Sequence, residues 1–244
     1  MAKDNNWFKT WFNSDYYHTL YRNRSQKEAN LFIENLISNL ELDKNKKILD
    51  LGCGKGRHAY KMSKYFKHVD GLDLSKQSIE KAKDFSKHNL NFHIGDMRNF
   101  NLPNKYNYIF NLFTSFGYFE NINQNIDVLK CCFSHLEKNG FLLIDYLNSE
   151  IIRNQIIKEE IKKIDGIIFK INKSIENNFI VKKITIFDQE IEQSYSEKVQ
   201  LFEKKQFIEM FRKSGFKLEA SFGDYQLNKF DEKSERLIMW AKKI

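Results

Sequence analysis

Proline is almost missing from this chain of 244 residues, with Pro103 the only one, so no proline-rich spacer divides it. The three cysteines, Cys53, Cys131 and Cys132, include no Cys-x-x-Cys pair and cannot form a disulfide framework. Cys131 and Cys132 fall within a helical pattern, where small buried thiols are expected. The six histidines are scattered without the spacing of a metal site, so a metal is not expected. No apolar run approaches the ~20 residues of a membrane span, and the start, Met1 to Trp7, lacks the apolar core of a secretory signal. A cytoplasmic protein with no membrane partner is the expectation.

A length of 244 residues and 41% hydrophobic residues suit one α/β domain or a domain with an inserted lobe. The 22 Phe and 11 Tyr exclude a disordered chain. The formal charge of +8 raises the question of a nucleic-acid partner. Its lysines, however, are spread along the chain and alternate with acids, as solvated helix faces require. Nucleic acid stays open without being favoured.

The informative stretch is Ile48-Leu49-Asp50-Leu51-Gly52-Cys53-Gly54-Lys55-Gly56-Arg57. An apolar run, 46–51, reads as a buried strand, and a helical stripe from Arg57 to about Phe66 follows it. Glycine at this junction lets the backbone turn sharply and approach a ligand closely, at the carboxyl end of a first strand where open α/β sheets bind ligands. The spacing departs from the dinucleotide fingerprint, because the sixth position is Arg57, and the phosphate loop ending in Gly-Lys-Ser/Thr is absent. A carboxylate before the first glycine, Asp50, suits a cationic amino-acid moiety.

Strands and helices then alternate as a parallel sheet requires. The strands read as 68–74, 91–96, 106–112 and 141–146. Ser75 caps a helix running to about Asn89; another helix, 124–136, is stopped by Asn139-Gly140. Before the motif, Ser25 and Glu28 read as a capping box ahead of a helix through Leu40. Over 166–202 the pattern changes to period two, with Ile167, Phe169, Ile171, Phe179, Val181, Ile184, Ile186, Tyr195, Val199 and Leu201, as in antiparallel strands with one wet face. Asn177-Asn178 reads as a hairpin turn. A helix, 204–214, and strands 216–222 and 236–241 complete the chain. The divisions are an N-terminal helical cap (1–45), an α/β core (46–149), an antiparallel insertion (150–202) and a C-terminal completion of the core (203–244). The insertion either roofs a pocket or forms a dimer surface, so monomer and homodimer both stay open.

Asp73 ends the second strand, where an acid can hold a ribose diol; Asp70 reads as an exposed twin. Asp96-Met97 offers a carboxylate and an apolar face at the third strand end. Together with 48–58, whose Asp-x-Gly-x-Gly-x-Gly resembles their motif I, the stretches 71–75, 95–98 and 111–119 resemble class I S-adenosylmethionine-dependent methyltransferases of the bacterial small-molecule type. Tyr16-Tyr17-His18, Tyr21, Arg24 and the terminal stretches 222–225 and 234–238 are similar as well. One departure is Asn107, where the family often has Asp.

The resemblance implies a Rossmann-like, mostly parallel seven-stranded sheet, its last strand antiparallel, with an antiparallel β insertion after strand five. It implies S-adenosylmethionine as cofactor, Gly52 and Gly54 along its methionine part, Asp73 with Leu74 at the ribose, and Asp96 and Met97 at the adenine. It extends to Asn111 at the fourth strand end and to Tyr17, Tyr21 and Arg24 closing over the cofactor. The acceptor side is assigned to His18, Phe116, Tyr118, Tyr146 and Tyr195. Asn111-Leu112-Phe113-Thr114 differs from the Asn/Asp-Pro-Pro-Tyr/Phe of amide and adenine methylases, which disfavours that chemistry. No catalytic base is identified among His18, Tyr118, Asp145, Tyr146 and Tyr195. A small-molecule O- or N-methyltransferase is the first reading, an RNA methyltransferase the second, and a cofactor-binding protein without turnover the third.

Overall fold

The structure is a computed structural model that describes residues 7–22 and 26–244. Arg24 and the Ser25 cap lie outside the described residues. The chain begins with two short helices, α1 (Trp7–Trp11) and α2 (Asp15–Leu20), the second capped by Ser14, followed by α3 (Gln26–Asn39). Strand β1 (Lys47–Leu51), α4 (Arg57–Met62) and β2 (His68–Asp73) build the motif I unit. Ser75 accepts the Ser78 amide at the start of α5 (Lys76–Ala82), so the expected cap is present, though the helix gives way to a 3₁₀ turn (Lys83–Phe85). Next come β3 (Leu90–Ile94), β4 (Tyr106–Asn111), α6 (Ile122–His135), β5 (Leu136–Leu147) and α7 (Ser149–Gln155).

Helix α6 stops before the Asn139-Gly140 pair, which instead lies inside the long β5. Asn139 is left-handed there (φ 61°), and a Cβ on Gly140 would press on the carbonyls of Glu137 and Asn107 at 3.0 and 3.1 Å. The pair therefore shapes an irregularity in the ladder with β4, where the register shifts between Tyr106 and Tyr108.

The insertion has four strands, one more than the period-two signal showed: β6 (Glu159–Ile164), β7 (Ile167–Glu176), β8 (Phe179–Asp188) and β9 (Ile191–Gln200). Strand β6, with the sequence EEIKKI, pairs among the described residues only with β7, and a charged strand of this kind protects an edge from further pairing. Asn177 and Asn178, at φ 48° and 66°, make the two-residue turn that matches strand twist. Helix α8 (Lys204–Lys213), β10 (Phe216–Phe222) and β11 (Arg236–Lys243) return to the main sheet.

That sheet has the order β10-β11-β5-β4-β1-β2-β3. Strand β11 runs against both its neighbours while the other pairs are parallel, as the sequence resemblance implied. Alternation divides its side chains: Leu49 and Leu51 join the apolar layer under α6 and α8, and Ile48 joins the layer under α3, α4 and α5. The chain order reverses at the β1–β4 pair, so a crevice opens at the carboxyl ends of these strands.

The N-terminal segment expected as one cap divides. Helix α3 packs on the main sheet through Phe32, Ile33 and Leu36. Trp11 and Leu20 pack beneath the second sheet against Phe169, Ile171, Ile184 and Ile186. The apolar face of the insertion is thus covered within the chain itself. Phe179 and Val181 point the other way, because Ile180 shares the face of Ile184 and Ile186. Among the described residues no helix is long and apolar enough to cross a membrane, and no three side chains are grouped to hold a metal ion.

Candidate active site

A cavity of about 780 Å³ lies between the carboxyl ends of the main sheet, the two N-terminal helices and the second sheet. Its floor is the glycine turn. The Gly52 and Cys53 amides both donate to the Leu72 carbonyl, at 2.7 and 3.1 Å, which ties the turn to β2. Gly52 (φ 78°) has no room for a Cβ, which would sit 2.7 Å from the Ser115 Cβ. Gly54 (φ 55°) has the opposite surroundings: its Cβ would meet no atom within 4 Å. Since Gly54 lines the cavity, its missing side chain leaves part of the cradle open.

Asp73 lines the cavity and is anchored by backbone, accepting from the Gly54 amide at 2.8 Å (Oδ2) and the Ser75 amide at 2.8 Å (Oδ1). Burial raises its pKa against the pull of these amides. A carboxylate accepts about four hydrogen bonds, so Asp73 retains capacity for a ligand diol. At the neighbouring strand end Asp96 is gripped by Arg98, whose Nη2 lies 2.6 Å from Oδ2. Burial acts to raise its pKa, but the Arg98 bonds outweigh it and hold the carboxyl below its usual range. Met97 and Leu74 add apolar lining, and Tyr17, Tyr21, His18 and Tyr118 line the same cavity.

Five of the expected site residues lie elsewhere or in another role. Asp50 is buried under the glycine turn, where its Oδ2 accepts the Ala59 amide at 3.1 Å in the first turn of α4. Burial pushes its pKa up to about 7, against the Ala59 bond and with Asp73 adding to the rise. Asp50 therefore supports the turn from behind and does not face a ligand. Asn111, also buried, donates from Nδ2 to the Leu51 carbonyl at 2.9 Å and joins β4 to β1 beneath the site. Phe116 packs on Phe207 in the core under α8. Tyr146 is fully buried beside it and donates to the Gln200 carbonyl. Tyr146 shares its face of β5 with Leu142 and Ile144, and Gly117, left-handed at φ 84°, passes over its ring where a Cβ would collide with the hydroxyl. Tyr195 packs on Trp11 with ring centroids 4.7 Å apart and bonds Gln193, outside the cavity. Asp70 is no exposed twin of Asp73: it is buried and receives the Tyr106 hydroxyl at 2.6 Å, with His68 and His93 at 2.9 and 3.3 Å.

The structure also removes most candidate bases. The Tyr118 hydroxyl donates to the Thr114 carbonyl at 2.5 Å. Asp145, buried, is held by Arg236 (2.7 Å), the Phe113 amide (2.8 Å) and the Tyr225 hydroxyl (3.2 Å). His18 keeps a place in the cavity as a neutral ring, its pKa lowered to about 4 by burial and by Lys55 and Lys81, with Asp15 and Gln77 pulling the other way.

Several cavity residues carried no individual assignment from sequence, and they surround Phe113, which the sequence suggests as part of an aromatic pocket wall. Phe113 and Thr114, at φ 55° and 60°, are both left-handed, which is rare for a β-branched residue such as Thr114. Asp145 and Arg236 hold this bend, Arg236 Nη2 also donating to Thr114 Oγ1 at 2.9 Å. The Phe113 ring is stacked on Tyr225 at 5.4 Å and covered by the Arg57 guanidinium at 4.2 Å. Tyr225 and Arg236 fall in the terminal stretches that carry the resemblance. Lys182 and Glu197 line the cavity from the second sheet, and their signal was a charge at an apolar phase of the strand.

Residues 21–221 match the family described as "Methyltransferase domain". The chain belongs to this family. Among curated relatives of this methyltransferase domain, the dTDP-3-amino-3,4,6-trideoxy-alpha-D-glucopyranose N,N-dimethyltransferase of Streptomyces venezuelae is 30% identical over 98 residues, 40% of this chain and 41% of that protein. The malonyl-[acyl-carrier protein] O-methyltransferase of Bacillus cereus is 29% identical over 133 residues, 53% of this chain and 48% of that protein. The chain thus spans less than half the length of the curated relatives it matches. A solved S-adenosylmethionine-dependent methyltransferase from Clostridium acetobutylicum superposes with a TM-score of 0.78 at 19% identity, over 93% of this chain and 96% of its own. The S-adenosylmethionine-bound amino pentose methyltransferase CalS10 of Micromonospora echinaspora superposes with 0.71 at 19% identity, over 94% and 97%. The fold of this methyltransferase domain is therefore that of S-adenosylmethionine-dependent methyltransferases. The residues present fit that donor: a side-chain-free cradle at Gly54, carboxylates at two adjacent strand ends, and apolar Met97 and Leu74 beside them.

Proposed function

We propose that the protein transfers a methyl group from S-adenosylmethionine to an oxygen or nitrogen of a small molecule. The observation that carries this reading is one continuous cavity. It joins the strand-end set Gly52, Gly54, Asp73, Asp96 and Met97 to the roof residues Ile180, Lys182, Glu197 and Val199. Its volume falls in the ~300–1,000 Å³ range of small-molecule sites. The relatives divide between a sugar nitrogen and a malonyl oxygen by their names, so both atoms stay within the proposal.

The donor, when bound, supplies a methyl group on a positively charged sulfur that leaves as a neutral thioether. Asp73 and Asp96 would hold its ribose and adenine, and Gly52 and Gly54 would lie along its amino-acid end. The remaining work of the chain is alignment and exclusion of water. Trp7, Phe12 and Tyr118 meet edge to face or tilted at ring distances of 5.4–5.5 Å, and Tyr17 packs on Phe12 at 5.0 Å. Together they make an aromatic wall along the cavity. Well-aligned reactants gain on the order of 7–11 kcal/mol from proximity, whereas a general base adds about 10²–10⁴-fold. Alignment therefore carries most of the expected rate.

The test is incubation with methyl-labelled S-adenosylmethionine and fractionated cell extract. Label in the metabolite fraction that Asp73→Ala abolishes supports the reading, and label confined to RNA or protein rejects it. Calorimetry with S-adenosylhomocysteine, giving equal affinity for wild type and Asp73→Ala, would reject the donor site itself.

A further inference from the structure

The cavity roof carries a charge pair where its strands call for apolar side chains. Lys182 and Glu197 are cross-strand partners between β8 and β9, flanked by the pairs Ile180–Val199 and Ile184–Tyr195. Ile180 and Ile184, two residues to either side of Lys182, are buried. Glu197 is 9% exposed. Its Oε1 accepts from Trp11 Nε1 at 2.7 Å and from the Tyr21 hydroxyl at 2.6 Å. Its Oε2 has Lys182 Nζ at 2.9 Å, and the same ammonium donates to the Tyr21 oxygen at 3.2 Å. Lys182 is half-buried and Glu197 buried, and a charge pair sunk this far is often no more stable than apolar side chains of similar volume. Stability alone does not explain it, and both partners line the cavity.

Of the three carboxylates lining the cavity among the described residues, two belong to the donor strand ends: Asp73, held by backbone amides, and Asp96, held by Arg98. Glu197 is the one that enters from the roof. Among the described residues Oε2 has a single donor, Lys182, so it keeps room for another. We propose that Glu197 faces the acceptor atom that takes the methyl group, and that this acceptor is an amine. The inference rests on the methyl-transfer reading above.

The amine, bound as its ammonium, first gives up one proton to solvent; the freed nitrogen lone pair then forms the N–C bond while the C–S bond breaks, and the electron pair of that bond stays on sulfur. The positive charge passes from sulfur to nitrogen. A fixed carboxylate at that nitrogen stabilises the charge as it develops, and a second proton leaves afterwards for solvent. A hydroxyl acceptor would need its proton removed at transfer. Glu197 is a poor base for that: burial acts to raise its pKa, but Lys182, Tyr21 and Trp11 together hold it below the usual range.

The test uses two probes of one shape, cyclohexylammonium and cyclohexanol, titrated by protein NMR into the full chain saturated with S-adenosylhomocysteine at neutral pH. The variant is the double substitution Glu197→Gln with Lys182→Met, which leaves net charge and side-chain volume nearly unchanged. Wild type is expected to bind the ammonium at least about tenfold more tightly than the alcohol, the scale of a hydrogen bond to a charged group. The variant is expected to lose that preference while melting cooperatively and binding S-adenosylhomocysteine within about threefold of wild type. Equal affinity of wild type for both probes, or a preference that survives in the variant, overturns the proposal. So does a variant that loses S-adenosylhomocysteine affinity but keeps the probe preference, since Glu197 would then only pin the N-terminal helices. Failure of wild type to bind S-adenosylhomocysteine would instead strike the methyl-transfer reading.

Discussion

Gly52 and Gly54 are two positions apart, both left-handed, and replacing each by alanine should fail in opposite ways. At Gly54 an alanine accepts φ 55° at about 1 kcal/mol, with no packing cost, because its Cβ meets no atom within 4 Å. For a chain of this length that lowers Tm by roughly 2–4 °C. The methyl group would occupy the donor cradle, so the Kd for S-adenosylhomocysteine should rise at least tenfold. At Gly52 the same strain is joined by a Cβ placed 2.7 Å from Ser115 Cβ and 3.0 Å from its Oγ. Overpacking of that kind adds about 1–3 kcal/mol, for a total near 2–4 kcal/mol and a Tm loss of roughly 4–16 °C. Differential scanning calorimetry and isothermal titration on both variants separate the cases. Gly54→Ala binding S-adenosylhomocysteine within twofold of wild type would refute the assignment of the cradle.

Asp50→Asn tests a carboxyl whose folded pKa is raised to about 7 by burial. A raised acid is fully accommodated below its unfolded value near 4 and costs stability increasingly as pH rises to 7, so the variant's Tm should gain on wild type between pH 5 and 8, while donor affinity stays within a few fold. Asp70 has the opposite sign: burial acts against it, but His93, Tyr106 and His68 hold its pKa far below the ordinary value, so its contribution is present above about pH 4 and lost as pH falls through the folded pKa. Asp70→Asn should cost about 1.5–3 kcal/mol at neutral pH, the scale of hydrogen bonds to a charged group, and its urea midpoint should converge on that of wild type in acid. Asp145→Ala strands the Arg236 guanidinium in the cavity wall and should cost about 3–5 kcal/mol. Tyr225→Phe removes a single 3.2 Å bond and should cost only about 0.5–1.5 kcal/mol, both read by chemical denaturation.

The main sheet was legible because its strands are bounded by side chains with one meaning. Ile48-Leu49-Asp50-Leu51 alternates between two cores and stops at glycines that only a turn accommodates, and Ser75, two residues past the end of β2, caps α5. Where one residue type serves two purposes, the reading slipped. Asn139-Gly140 is helix-stop chemistry, but here it bends a strand already under way. Asp70 looks like solvent-facing polarity in a strand, and its partners His68, His93 and Tyr106 come from three different strands, so nothing local announces its burial. Strand β6 carries its charges on an edge and offers little apolar alternation to recognise.

The site follows the same division. Residues at the glycine turn and the strand ends, Gly52, Gly54, Asp73, Asp96 and Met97, were placed by strand-end position together with the family resemblance, and they do line the cavity. Residues chosen because aromatic rings suit a pocket were less secure, since a ring suits a core equally well: Phe113, Tyr118 and Phe119 reach the cavity, while Phe116 and Tyr146 pack under α8. Lys182 and Glu197 are the instructive pair. Read as strands, β8 and β9 place both on the apolar face, where charge breaks the binary pattern, and such breaks concentrate where function overrides packing. The strand-end half of the cavity is encoded in chain-local signals because one turn and two strand ends build it. The roof half is built by contacts such as Trp11 to Glu197, 186 positions apart, and only the folded chain brings them together.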